Sequence, residues 1–334
     1  MNRTQITCVP GLAVLAVCIA ASSSAATFTT FDPPGADFTQ PESINAAGVI
    51  TGFYGVGTLA AHGFVRAADG TFTIFDAPRS SVTDALGIDD SGRICGTYAG
   101  KNREHEHAFV RGPDGTIAAF DPPRATQSFA VGFDGQGNVA GSFAGHVSKS
   151  RGFIRSVDGA ITVFGYPHAV LTAVHAVNSA GAITGLYLDH AFGYHGFVRA
   201  PNGTMTAFDV AGSDETDGDA INAGGTITGA YLDTGNVYHG YVRAPDGSIS
   251  SFDPLNSVQT QPRAINSSGA VTGYFETTDG VTHGFLRKPG GAIITFDDPN
   301  AVSSTTPNSI NKVGVITGSF KDANGVMHGF LRSN

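Results

Sequence analysis

The sequence predicts an all-β protein assembled from seven repeats of four short strands. Three observations carry this. A Phe, usually followed by Asp, recurs at Phe31, Phe75, Phe120, Phe164, Phe208, Phe252 and Phe296, in steps of 44 or 45 residues. Each period divides into short apolar-alternating segments separated by Gly-bearing turns, and helical periodicity is absent. The chain also ends in pieces of one repeat: a fourth-type strand near the start, Thr27 to Asp32, and a third-type strand at the finish, His328 to Arg332.

Residues 1–25 read as a signal peptide, with Arg3 as the positive charge, an apolar run from Cys8 to Ala21 and small residues Ser23, Ser24 and Ala25 at the cleavage site. The run is shorter than the ~20 residues a spanning helix needs and is broken by Pro10 and Gly11, so no membrane insertion is expected. Cys18 follows Val17 where lipoprotein signals carry a small residue, which argues against a lipid anchor. A secreted or periplasmic product is expected, with residues 26–334 forming a single domain.

Within each repeat the first strand ends in Ile-Asn or a variant, preceded by a small residue: Ser43, Gly87, Gly132, Ala176, Ala220, Ala264 or Ser309. Small side chains suit strands that converge on an axis. An Asn-x-x-Gly turn follows and leads to a second strand of the type Val49 to Tyr54. The third strand carries His-Gly-Phe-Val-Arg, and an Asp-Gly turn joins it to the fourth, which ends in Phe-Asp.

Seven such units match a seven-bladed β-propeller with four antiparallel strands per blade. An open stack would need capping repeats, and the sequence has none. The expected closure pairs the N-terminal strand with the last blade, because that blade otherwise lacks its outer strand.

The third-strand His and the fourth-strand Asp should face each other across their hairpin. The one unit with Arg151 in place of His also has Gly165 in place of Asp. Six equivalent pairs point to a structural clasp, since a reaction needs one site. The Arg closing each third strand, Arg66 through Arg332, is expected to pin the neighbouring turns by charge-assisted hydrogen bonds.

Composition narrows the partners. The formal net charge is −9 and becomes one unit more negative when Arg3 leaves, and no basic cluster exists, so nucleic acid is not expected. Loss of Cys8 and Cys18 leaves only Cys95, which excludes an internal disulfide. A monomer without cofactor is expected.

Function on a repeat scaffold should sit where the units differ. Five His fall outside the repeat, His105, His146, His168, His175 and His190, and topology places them on the variable loop side, near Glu104, Glu106, Lys149, Arg151, Tyr166, Asp189 and Tyr194. No short metal-ligand motif accompanies them, so no metal is expected. A second candidate is the rim of a central channel. Three residues before the Asn of each first strand stand Glu42, Leu86, Val131, His175, Asp219, Arg263 and Asn308, among framework positions that barely vary.

The repeated His-Ala-Phe at His107 to Phe109 and His-Gly-Phe elsewhere, with the Ile-Asn-x-x-Gly-x-Ile-Thr-Gly stretch, resembles the bacterial extracellular HAF-repeat proteins over the whole mature chain. The resemblance implies a secreted repeat protein and contributes no catalytic residues; Arg151 and Gly165 depart from its pattern. Two functions are expected in order. The first is a non-catalytic propeller binding a glycan or extracellular protein through His105, His146, His190, Tyr194, Glu42, Asp219 and Arg263. The second is an extracellular polysaccharide lyase using Arg151, Tyr166, His168 and His175, with a hydrolase on Glu42 and Asp219 as a weaker variant.

Overall fold

The computed structural model describes residues 26–57, 60–100, 105–145 and 150–333. The expected signal peptide, Glu104, His146 and Lys149 lie outside the described residues. The described chain is all-β, and no helix in it is long and apolar enough to cross a membrane.

Unit 1 consists of strands Phe38–Ile44, Ile50–Val56, Ala60–Arg66 and Phe72–Phe75, paired antiparallel in that order. The same order repeats along the chain up to Ile293–Phe296. The last unit is composite: Ser304–Ile310, Ile316–Lys321 and Met327–Ser333 are completed by Thr27–Phe31 from the start of the chain. In that pairing Phe28 lies opposite Arg332 and Phe31 opposite Gly329. The units are not fully separate sheets. Single parallel bridges such as Ala61 to Val82 and Thr282 to Ser304 join neighbours, so the strands form three hydrogen-bonded sheets.

The core follows from two alternating positions. The second strand opens on Ile50, Ile94, Val139, Ile183, Ile227, Val271 or Ile316, and the third carries Phe64, Phe109, Phe153, Phe197, Tyr241, Phe285 or Phe330; all are essentially inaccessible. Burying each such side chain contributes about 1.5–3 kcal/mol.

The units adhere through the Phe of the Phe-Asp motif, which packs on the core aromatic of the following unit. Phe31 meets Phe64 at 6.4 Å between ring centres, Phe120 meets Phe153 at 5.7 Å and Phe252 meets Phe285 at 5.7 Å, all edge to face. The Arg of the following unit covers the same ring, with its guanidinium carbon 4.7–5.0 Å from the centre in all seven cases. The expected hydrogen bonds to the turn form from Arg66, Arg111, Arg199 and Arg243, at 3.3–3.5 Å, and the aromatic face of the preceding unit is a second partner that the expectation did not include.

A second link runs through the Asn that ends each first strand. Asn222 Oδ1 accepts from the backbone N–H of Gly224 and Thr226, which holds its own turn, while Nδ2 donates to Asn266 O of the next unit at 3.1 Å. Asn178, Asn266 and Asn45 make the same forward bond, and Asn311 of the last unit donates to Asn45 O of the first at 3.3 Å. Asp89 and Asp134 replace Asn in units 2 and 3 and cannot donate. There Arg93 lies over the Phe133 ring, and Gly135 N–H donates to Ser179 O instead.

Every first strand contains an irregularity at one place. In unit 1 Pro41 pairs with Gly52 and Ser43 with Thr51, so Glu42 has no partner; the same bulge frees Leu86, Val131, His175, Arg263 and Asn308. The Gly opposite is obligatory, because a Cβ on Gly185 or Gly273 would collide with the carbonyl oxygen of Ala173 or Gln261.

Gly273→Ala should therefore destabilise the fold by about 1–3 kcal/mol, as overpacking does, read as a lower denaturation midpoint. Asn222→Asp, which keeps the turn but removes the forward donor, should cost about 1–3 kcal/mol in the same measurement.

Candidate functional site

The six repeated His–Asp pairs form as the hairpin register dictates. Nδ1 lies 2.7–3.0 Å from a carboxylate oxygen in His62–Asp76, His107–Asp121, His195–Asp209, His239–Asp253, His283–Asp297 and His328–Asp32. Several of these carboxylates also accept from the next unit: Thr39 Oγ1 donates to Asp32 at 2.5 Å, Ser128 to Asp121 at 2.8 Å and Thr260 to Asp253 at 2.6 Å. Each pair thus clasps the third and fourth strands of one unit, and some clasp the next unit as well. In unit 3 the Arg151 guanidinium occupies the space a side chain at position 165 would take, which accounts for the joint replacement by Arg and Gly.

Among the off-pattern residues, His105, His168, His190, Tyr166 and Tyr194 do not line the interior cavity. His105 is exposed, with Nδ1 3.2 Å from Thr126 O, and His190 is exposed in a turn. Tyr194 is half-buried at the parallel bridge to Glu215. His168 is exposed at a positive φ of 60°. Tyr166 stacks on Tyr187 at 3.8 Å and 5°, and Tyr187 in turn stacks on His195. Of the four residues expected to form a lyase site, only His175 lines the interior cavity. The sequence places His175 both on the loop side and at the rim; it takes the rim position, where the bulge between Val174 and Ala176 turns it into the cavity.

The rim positions, by contrast, do converge. Glu42, Leu86, Val131, His175, Asp219, Arg263 and Asn308 line one cavity of about 540 Å³, one residue from each unit. The wall is two-sided. Leu86, Val131 and Val174 form an apolar stretch, and the charged and amide groups of the other units face it. Asn308 is held by donating from Nδ2 to Pro41 O at 2.8 Å. Unit 5 departs from the others: its first strand is interrupted between Ser213–Thr216 and Ala220–Ile221, and the gap brings Asp217 into the cavity beside Asp219. The sequence reading missed Asp217. Its signal was the Gly218 between two Asp, where other units carry Pro, Ala or Val.

The electrostatics are those of charges confined among protein atoms. Burial pushes the Glu42 carboxyl up to about 7, against the pull of the Arg263 cation. Burial and the neighbouring Asp217 raise Asp219 to about 6, while His175 and Arg263 oppose the rise. Burial disfavours the His175 cation, but Asp217 and Asp219 outweigh it and hold the imidazole up at about 10. A buried acid near neutrality next to fixed cations can bind, donate and accept protons at physiological pH.

No family model matches the chain, and no curated protein matches it. Solved structures do. Streptogramin B lyase superposes with a TM-score of 0.62 at 13% identity, over 92% of this chain and 98% of that one. The β-propeller domain of the Trilobed protease from Pyrococcus furiosus gives 0.62 at 9% identity, over 88% and 95%. TolB from Acinetobacter baumannii gives 0.50 at 9% identity, over 86% and 79%. At such identities the likeness concerns fold alone, and the fold is that of a β-propeller.

Glu42 sets a pH signature. Between its ordinary value of 4.5 and about 7 the unfolded chain ionises Glu42 while the folded protein keeps it protonated, so folding stability falls as pH rises through that window. Glu42→Gln should remove this contribution. The variant's stability relative to wild type, measured by denaturant titration, should rise from pH 4.5 to pH 7 and level off above.

Proposed function

We propose that the chain is an exported, HAF-type seven-bladed propeller, closed by its N-terminal strand, that binds a glycan in the central cavity without turning it over. Closure is supported by the pairing of Thr27–Phe31 with Met327–Ser333 and by the Asn311 bond to Asn45. Export is supported by the basic, apolar and small-residue succession of residues 1–25.

The observation that carries the binding reading is the cavity wall. One bulge residue from each unit lines it, polar on one side and apolar on the other, in a volume within the ~300–1,000 Å³ of small-molecule sites. A sugar ring has the matching duality: its hydroxyl edge can meet Glu42, Arg263, Asn308 and Asp219, and its C–H face can lie on Leu86 and Val131. With no Trp in the chain, recognition rests on these hydrogen bonds rather than on a stacking platform, which suits a single sugar unit or a chain end.

A catalytic reading has one observation in its favour, the Glu42 carboxyl held at about 7 beside Arg263. It would place a hydrolase on Glu42 and Asp219. A lyase on Arg151, Tyr166, His168 and His175 has less support, because of the four only His175 lines the cavity.

The test is calorimetric titration of the mature protein with a panel of neutral, amino and uronic oligosaccharides, with product analysis of the same mixtures. Binding without turnover is expected, weakened at least about tenfold by Arg263→Ala and unchanged by His168→Ala. Absence of binding across the panel, or binding indifferent to Arg263→Ala, would overturn the reading. New reducing ends abolished by Glu42→Gln would replace it with the hydrolase.

A further inference from the structure

We propose that His175, Asp217 and Asp219 form a binding site for a divalent first-row transition-metal ion in the wall of the central cavity. Units 4 and 5 supply the three side chains, and their donor atoms all lie within 4.8 Å of one another. His175 Nδ1 stands 2.9 Å from Asp217 Oδ1 and 3.7 Å from Asp219 Oδ1. Donors bonded at about 2.1 Å to one ion stand about 3 Å apart in an octahedron and about 3.4 Å apart in a tetrahedron. The observed separations bracket those values, so small side-chain rotations would suffice.

Without a metal the three groups pair as an imidazole between carboxylates, with Asp217 Oδ1 2.9 Å from His175 Nδ1; a metal ion would replace the shared proton and take both atoms as ligands. Asp219 is oriented for the same role: its Oδ2 accepts from Ala230 N–H at 3.2 Å, which turns Oδ1 toward His175.

The backbone is specialised at this place as well. Unit 5 is the one unit whose first strand breaks, and it breaks at Asp217-Gly218-Asp219. Gly218 packs so closely on unit 4 that a Cβ would collide with Thr184 Oγ1. At this place both carboxylates stand against His175, while Asp217 N–H and Asp219 N–H still donate to Ala230 O and Thr228 O.

One imidazole and two carboxylates suit Mn²⁺, Fe²⁺, Co²⁺ or Zn²⁺ better than Ca²⁺, which prefers an all-oxygen shell, or Cu⁺, which prefers sulfur. Side-chain exposures of 29%, 29% and 17% leave the remaining coordination positions open to the cavity, for water or for hydroxyls of a ligand. The proposal stands whether or not the cavity takes a glycan.

The experiment is titration of chelator-treated mature protein with Mn²⁺ alone, then with Zn²⁺ alone, followed by calorimetry and, for Mn²⁺, by the loss of the free-ion electron paramagnetic resonance signal. One ion per chain is expected. Asp217→Asn and Asp219→Asn, which keep shape, should each weaken binding by about 100-fold or more, with thermal denaturation confirming that each variant is folded. His168→Ala, on the outer surface, should leave binding intact. Failure of both ions to bind the folded wild type, or equal binding by the two Asn variants, would overturn the site. Because no sugar is present, either result is independent of the glycan titration.

Discussion

At their outer strands, successive units adhere through one contact: the Phe of each Phe-Asp motif, wedged between the core aromatic and the Arg of the unit that follows. A single four-stranded unit has two faces and too few residues to cover both, so it is not stable alone. The wedge answers this by making each unit's outermost strand part of its neighbour's core. It operates even where the chain is discontinuous, since Phe31, contributed by the N-terminal strand to the last unit, packs against Phe64 and beneath Arg66 of the first. The aromatic contact adds about 0.5–1.5 kcal/mol beyond the area it buries, and the cation over the ring adds to it.

The wedge acts at the outside of the units and the Asn link at the inside. Between them, the inner strands are held close enough that their side chains line one cavity. The bulge is the device that separates framework from function there. Residues on either side of it keep their pairing and their identity, whereas the bulged residue is released from the ladder and directed into the cavity. It can be Leu, His, Asp, Arg or Asn without disturbing the sheet. The cost falls on the opposing strand, where only Gly fits beneath the displaced carbonyl.

Units 3 and 5 show two kinds of departure with different consequences. In unit 3 the loss of His and Asp is compensated locally by the Arg151 guanidinium above Gly165, and strand pairing is unchanged. In unit 5 the first strand itself breaks, and the result is a second acid in the cavity. The first departure maintains a clasp; the second changes the chemistry of the cavity. The His and Asp of the regular clasps resemble parts of a nucleophilic site in composition, yet their repetition in six units and their hydrogen bonds to neighbouring strands are those of fasteners.

The sequence by itself determined the unit length, the four-strand order, the His–Asp register and the meeting of the two chain ends, because all of these follow from periodicity and from hairpin geometry within about 44 residues. It also singled out the rim position, since a variable residue in an otherwise fixed strand is visible without coordinates. Tertiary structure decided which variable residues meet. His175 and Asp217 are 42 residues apart, and no local rule predicts that a broken strand in one unit will bring a carboxylate 2.9 Å from an imidazole in another. The same holds for the repeated Arg: its charge predicted the turn hydrogen bond, which forms, but only packing against the preceding unit revealed the aromatic face it covers. Contacts within a hairpin are encoded by spacing, whereas contacts between units depend on how whole sheets pack.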